Sequence, residues 1–238
     1  GRFGSRMIRL DYPHVPIQAL LTPCEARLVH TDLRARGQWI AYLMGPGDQG
    51  PDALRQMGFD VTLLDDDAVE NTDLSRFDCI VTGVRAYNTR PRLRVLQPRL
   101  LEYVKNGGRL VVQYCTNDDA LNDRLGPWPL RISRDRVAVE DAEMRFLKPA
   151  HPLLRIPNAI TRGDFEGWVQ ERGLNYASPW DPRYETVLSA NDPGEPARDG
   201  GLLCANYGRG VFVYSALALF RQLPAGVPGA WRLFANLV

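Results

Sequence analysis

Histidine and cysteine are scarce in this chain, and long apolar runs are missing. Among 238 residues there are three histidines, His14, His30 and His151, and four cysteines, Cys24, Cys79, Cys115 and Cys204. The histidines are too scattered for a His-rich zinc site, and no metal and no cofactor are expected. No two cysteines have C-x-x-C spacing, and Cys79 and Cys204 sit inside apolar runs. Buried free thiols are therefore expected rather than a disulfide framework. No apolar run approaches the ~20 residues that cross a bilayer, so no membrane is expected as a partner. Charge of one sign is not in excess either: 29 Lys and Arg against 28 Asp and Glu leave a formal net charge of +1. That balance gives no electrostatic pull toward nucleic acid. The first residues, GRFGSRMIRL, lack the apolar core and small-residue cleavage site of a signal peptide. They also start without Met, and the expectation is a domain cut from a longer polypeptide. Its compartment, cytoplasmic or exported, is left open.

What is present is ordinary globular material, 45% hydrophobic and 24% charged. Residues 1–37 are Pro-punctuated and read as a lead-in segment packed on a single domain spanning 38–238. Four apolar runs read as strands: 38–44, 60–64, 77–83 and 109–114. Helices are expected at 51–57, where Pro51 suits a first helical position, and at 92–106. In the second, Leu93, Leu96, Leu100, Leu101 and Val104 follow the 3.6 period. This β-α-β-α-β order with continuous apolar strands argues for an α/β fold with a mostly parallel sheet and helices on both faces. Residues 120–200 read as an elaborated region with short strands near 137–140 and 186–190. Residues 201–207 and 210–217 read as a hairpin, and 229–237 as a closing helix.

Three local motifs invite a chemical reading. Gly45-Pro-Gly-Asp-Gln-Gly50 follows a strand and precedes a helix, with Asp65 twenty residues beyond Gly45, as a dinucleotide site requires. Pro46 removes a backbone donor, however, and Pro51 as first helical residue would leave Gly50 outside the helix. A plain β-α turn is the better reading. Asp65-Asp66-Asp67 reads as a solvated acidic loop, since three adjacent acids cannot all face one cation. Cys115, directly after the fourth strand, occupies a nucleophile position. No glycine relieves the sharp turn a nucleophile needs, and no His-x-Glu supplies a base.

The segment DFEGWVQERGLNY, residues 164–176, is dense in functional side chains. Asp164 is a good N-cap and Gly173 a natural stop, so a short helix is expected between them. Phe165, Trp168, Val169 and Arg172 then share one face, with Glu166, Gln170 and Glu171 opposite. Gly167 in mid-helix would cost ~1 kcal/mol. A Trp beside exposed carboxylates is also a sugar-contact pairing, and Tyr176 and Trp180 add aromatic surface. In a doubly wound sheet, ligands bind beyond the carboxyl ends of the strands. The groups expected there are Asp48, Arg85, Tyr87, Asn88, Asn117 and Arg221, with Asp164 and Trp168 from the segment above. As weak catalytic candidates the sequence offers Cys115, Glu166 and Glu171.

Several phrases carry a resemblance: YPHVPIQ, GVRAYNTR, LLEYVKNGG, GPWPLRISRDRVAVED, DFEGWVQERGLNY and FRQLPAGVPGAWRLFANL. Together, from about Tyr12 to the end, they resemble the C-terminal region of large bacterial LmbE-like proteins, the PIG-L family deacetylases. That resemblance implies a class I glutamine amidotransferase-like, flavodoxin-like domain. HPLLRIPNAITRGDF with ERGLNY is similar to the trehalose-utilisation (ThuA-like) branch of that fold. The deacetylase zinc motif, His-Pro-Asp-Asp with a later His-x-x-His, is not in this chain, where His151-Pro152 continues with Leu153-Leu154. The resemblance therefore implies an accessory domain without its own deacetylase chemistry. Its partners would be a sugar-like small molecule and other domains of the parent polypeptide. The alternatives are a hydrolase using the crevice carboxylates and a dinucleotide-binding domain using Gly45–Gly50.

Overall fold

Apolar runs alternating with helical segments build a central sheet in the computed structural model, which describes residues 4–25 and 28–238. Its seven strands are β1 (Trp39–Leu43), β2 (Asp60–Leu63), β3 (Cys79–Thr82), β4 (Arg109–Gln113), β5 (Glu185–Thr186), β6 (Leu202–Tyr207) and β7 (Gly210–Ser215). They lie in the order β5-β6-β7-β4-β3-β1-β2. β2, β1, β3, β4 and β7 are parallel, and β6 and β5 add an antiparallel edge. Every residue of Ile40–Leu43, Cys79–Thr82 and Leu110–Gln113 is buried. Burial on both faces is what a covered parallel sheet demands, and it explains why these strands read as unbroken apolar runs rather than alternating ones.

The helices are α1 (Gly50–Gln56), α2 (Asp66–Asn71), α3 (Ala86–Thr89), α4 (Pro91–Lys105), α5 (Pro152–Arg155), α6 (Leu219–Gln222) and α7 (Pro228–Leu237). α4 buries Leu93, Leu96, Leu100 and Val104, the stripe its periodicity marks out, and carries Pro98 within it. Residues 120–200 hold three short antiparallel ladders: Leu130–Ile132 with Ala177–Trp180, Arg136–Val137 with Gly173–Leu174, and Arg145–Phe146 with Leu188–Ser189.

The chain divides into two units, at His30/Thr31 rather than at 37/38. In the first, Ser5–Leu10 pairs antiparallel with Gln18–Pro23. Residues 31–37 belong to the second unit. The Arg34 amide donates to Asn158 Oδ1 at 2.8 Å, and Asn158 Nδ2 donates back to the Arg34 carbonyl at 2.8 Å.

Three local expectations are corrected. Gly50 is the buried first residue of α1, so the helix begins one position before Pro51. The triple-Asp run is a helix start rather than a solvated loop. The Asp65 side chain caps α2 by accepting from the Ala68 amide at 2.7 Å, Asp66 pairs with Arg90, and Asp67 pairs with Arg92. Finally, 164–173 is not a helix. Only Arg162–Phe165 forms a turn of 3-10 helix; Glu166 is extended, and Gly167 and Gln170 have φ of +67° and +68°. Gly167 is there because that backbone is left-handed, a region where a Cβ is unfavourable.

Candidate functional site

The switch point of the parallel sheet lies between β1 and β3, where the chain turns from one side of the sheet to the other. Ligands of such sheets sit beyond the carboxyl ends of these strands. Here the place is filled by the protein itself. Asp48 Oδ1 accepts from the Tyr42 hydroxyl at 2.5 Å and from the Gly50 amide at 2.8 Å. Its Oδ2 accepts from the Val84 amide at 3.2 Å. One carboxylate thus ties the loop after β1, the start of α1 and the loop after β3 together. A Cβ on Gly45 would lie 1.9 Å from the Val84 carbonyl oxygen, so the two loops touch backbone to backbone. The Gly50 amide, at the helix start where a pyrophosphate would lie, is already bonded to Asp48. Burial, followed by the Asp48 charge, holds the Tyr42 phenol well above its ordinary pKa, so Tyr42 stays a donor.

Polar groups do converge further along the same edge, beyond β3, β4 and β7. β3 ends in a sharp strand-to-helix turn on which Arg85 has φ of +56°. A non-glycine residue held there costs of order 1 kcal/mol, and such positions cluster at ligand sites. The Arg85 amide donates to the Tyr114 carbonyl at 2.8 Å, which fixes the turn beside β4. The Arg85 side chain is exposed, with no hydrogen-bond or ion-pair partner among the described residues. Next to it, the Tyr114 and Phe220 rings lie 5.2 Å apart, and the Arg221 guanidinium sits 4.8 Å over Phe220. Arg221 Nε in turn donates to Glu171 Oε1 at 2.7 Å. Burial raises the Tyr114 phenol above its usual pKa, while Arg85 and Arg221 work against that rise. Asn117 closes the row, its amide donating to Asn175 Oδ1 at 3.3 Å. The array has a free cation at Arg85, an ion pair at Glu171–Arg221 and aromatic rings between them, which suits a hydroxylated ring.

Other expected residues serve the fold. Asn88 spans the turns after β3 and β4, accepting from the Thr116 amide at 2.9 Å and donating to the Thr116 carbonyl at 3.2 Å. Tyr87 is 1% exposed and its hydroxyl donates to Gln97, so it faces the core and no ligand. Asp164 is buried against Arg232 Nε at 2.8 Å and accepts from the Thr161 amide at 2.8 Å. Trp168 is 3% exposed, stacks on Phe165 with centroids 5.4 Å apart, and donates from Nε1 to the Asp164 carbonyl at 3.0 Å. A ring so enclosed is an anchor; the sugar-contact reading of Trp168 is corrected. Tyr176 is buried as well. Glu166 is exposed, on an open cleft of about 390 Å³ shared with Glu140, Asp141 and Glu143.

Cys115 is fully buried, and burial pushes its thiol up to about 12. The sharp turn a nucleophile needs does exist, but one strand earlier, and it presents Arg85. Cys79 and Cys204 are likewise buried with thiols pushed up to about 12, whereas Cys24 is exposed. A thiol reagent at pH 8 is therefore expected to titrate Cys24 rapidly in the native protein and all four cysteines after denaturation. Rapid native labelling of Cys115, located by peptide mapping, would contradict this burial. Among the described residues, no group of three or more His, Cys, Asp or Glu is placed to hold a metal ion, and no helix is long and apolar enough to cross a membrane.

Phe220, Tyr114 and Asn175 were not singled out from the sequence. Tyr114 was legible as the residue after β4. Phe220 and Asn175 reach the edge only because β7 lies beside β4.

No family model matches the chain, and no curated protein does. Among solved structures, the chain is similar to Cytoplasmic Protein STM1381 from Salmonella typhimurium LT2, with TM-score 0.50 and 15% identity over 84% of this chain and 98% of that one. Cytoplasmic Protein STM3548 from Salmonella typhimurium gives TM-score 0.49 and 15% identity over 98% and 94%. A cold-adapted beta-galactosidase from Rahnella sp. R3 gives TM-score 0.48 and 16% identity over 85% of this chain and 31% of the enzyme. The likeness to the first of these is one of fold.

Proposed function

We propose that this chain is a non-catalytic binding module with a flavodoxin-like, amidotransferase-like fold, an accessory part of a larger carbohydrate-active protein. Its ligand is a hydroxylated, sugar-like molecule held at the edge beyond β3, β4 and β7. The strand order β2-β1-β3-β4-β7 supports the fold reading, because it is the flavodoxin order 2-1-3-4-5 with β7 in fifth place. One observation carries the function: the Tyr114–Phe220 pair lies between the free Arg85 guanidinium and the Glu171–Arg221 ion pair, with no base–nucleophile pair beside it. Tyr114 is 7% exposed and backs the half-buried Phe220 ring, whose open part is the platform for the apolar face of a sugar, and the charged groups offer hydrogen bonds to its hydroxyls. Glu171 is engaged by Arg221, and Cys115 is sealed, so the groups present bind and orient.

The test is thermal unfolding with glucose, trehalose and amino sugars, followed by calorimetric titration of any hit. A ligand at 100 times its Kd stabilises by ~2.7 kcal/mol, which for a chain of this size is a rise of several degrees at roughly 2–4 °C per kcal/mol. Arg85→Ala is expected to abolish the rise while leaving the unliganded midpoint near its original value, and Phe220→Ala to abolish it from a lowered midpoint. No rise with any sugar sinks the binding reading. Hydrolysis of a chromogenic glycoside that disappears in Glu171→Gln sinks the non-catalytic one.

A further inference from the structure

At the opposite end of the sheet, by the amino ends of β3, β4 and β7, a cleft of about 390 Å³ is lined by three arginines, Arg36, Arg109 and Arg209. None of the three has a carboxylate partner within 4 Å among the described residues, whereas Arg90, Arg94, Arg221 and Arg232 are each paired with one. Arg109 is half-buried and fixed, with Nη1 donating to the Asn236 and Leu237 carbonyls at 3.2 and 3.3 Å. Its Nε and Nη2 have no protein acceptor among the described residues. Arg209 is exposed and makes one bond, from Nη2 to the Asn106 carbonyl at 3.1 Å. Arg36 is exposed and makes none. The acid in the lining, Asp78, is already engaged: its Oδ2 accepts from the Gln38 amide at 2.7 Å and the Trp39 amide at 2.9 Å. The neighbouring cleft that shares Arg109 differs, because its Lys148 is paired with Glu185.

Three guanidiniums against the one carboxylate of Asp78 leave the side chains of this lining with an excess of positive charge, which favours an anion. Planar guanidinium forks match phosphate oxygens two at a time, which favours a phosphate over a monovalent ion. The far wall is apolar, formed by Leu153, Ile156, Pro157 and Val211, and Ile156 is left 47% exposed there. A cleft of this volume holds a small molecule, with sites commonly ~300–1,000 Å³. We propose that this cleft binds a phosphate monoester, with the phosphate on Arg36, Arg109 and Arg209 and a small apolar or ring-shaped body against Ile156 and Leu153. The site lies at the other end of the parallel strands from Arg85 and Phe220, so it stands or falls independently of the sugar-binding reading.

The experiment is calorimetric titration of the full chain with phenyl phosphate, inorganic phosphate and phenol at matched ionic strength. Phenyl phosphate is expected to bind most tightly, inorganic phosphate more weakly, and phenol not measurably. The double variant Arg36→Gln/Arg209→Gln changes two exposed side chains, so the fold is retained; it is expected to weaken phenyl phosphate by about tenfold or more. Ile156→Ser is expected to weaken phenyl phosphate and leave inorganic phosphate unchanged, and Arg85→Ala to change neither. Unchanged affinity in the double variant overturns the proposal, as does equal heat from chloride, which would mean charge screening only. Equal affinity for phenyl phosphate and inorganic phosphate overturns the apolar half of the site.

Discussion

Trp168→Ala is expected to destabilise the second unit by ~3–5 kcal/mol, the usual cost of removing a fully enclosed aromatic ring. The thermal midpoint should fall by roughly 2–4 °C for each of those kcal/mol. The ring holds a segment that has no regular structure of its own. It packs on Phe165, lies under the Arg172 guanidinium at 5.6 Å and bonds the Asp164 carbonyl. Gln222 pins the same segment from the other side, bonding the Val169 amide through Oε1 at 2.8 Å and the Val169 carbonyl through Nε2 at 2.9 Å. Trp168→Phe keeps most of the packing and loses the Nε1 bond, a loss of about 1 kcal/mol. Denaturant titration of both variants separates the two contributions. A Trp168→Ala protein of unchanged midpoint that fails to bind sugar would instead return this ring to the ligand site.

That segment also marks where reading the sequence stops working. The parallel sheet was legible because its strands are buried on both faces and leave unbroken apolar runs. The long helix α4 was legible because one stripe of it is buried. In 164–173, Phe165, Trp168, Val169 and Arg172 fall at helical spacing for another reason. Three of them are held by other parts of the chain, Phe165 by Phe146, Val169 by Gln222 and Arg172 by the Ala142 carbonyl, and Trp168 packs on Phe165. Partners 19 to 53 positions away set the conformation, and local periodicity does not register them. The acidic run 65–67 failed similarly. Its capping chemistry was on the page, with Asp65 as N-cap and acids in the first turn, but Arg90 and Arg92, which neutralise it, come more than twenty residues later. The site divides along the same line. Arg85 and Asn117 follow strands, so their place at this edge was legible, and Glu171 and Arg221 were legible as charges, yet that the last two pair with each other depends on where β7 lies. Asp48 and Tyr87 were assigned to a ligand, and both are bonded within the protein.

Asp48→Ala is expected to be the second costly change, at about 3 kcal/mol, because it strands three donors at once. Removing a charged acceptor from a buried partner commonly costs ~1–3 kcal/mol for each group left unpaired. The Tyr42 hydroxyl is the most enclosed of the three; it still accepts from Gln113 Nε2 at 2.7 Å but loses its only acceptor. Gly50 and Val84 are buried as well, so water replaces what their amides lose only where the loops part. The thermal midpoint should drop by roughly 2–4 °C per kcal/mol, and hydrogen exchange at Gly50 and Val84 should quicken. Asp48→Asn discriminates further, since one carbonyl oxygen cannot serve three donors on two sides and the amide would set N–H against N–H at Val84 or Gly50. It is expected to recover only part of the loss. If Asp48 served a ligand instead of the loops, Asp48→Ala would leave the midpoint in place or raise it. The contact between Gly45 and the Val84 carbonyl argues the other way: the loops already meet, and the carboxylate is what satisfies their donors where they do.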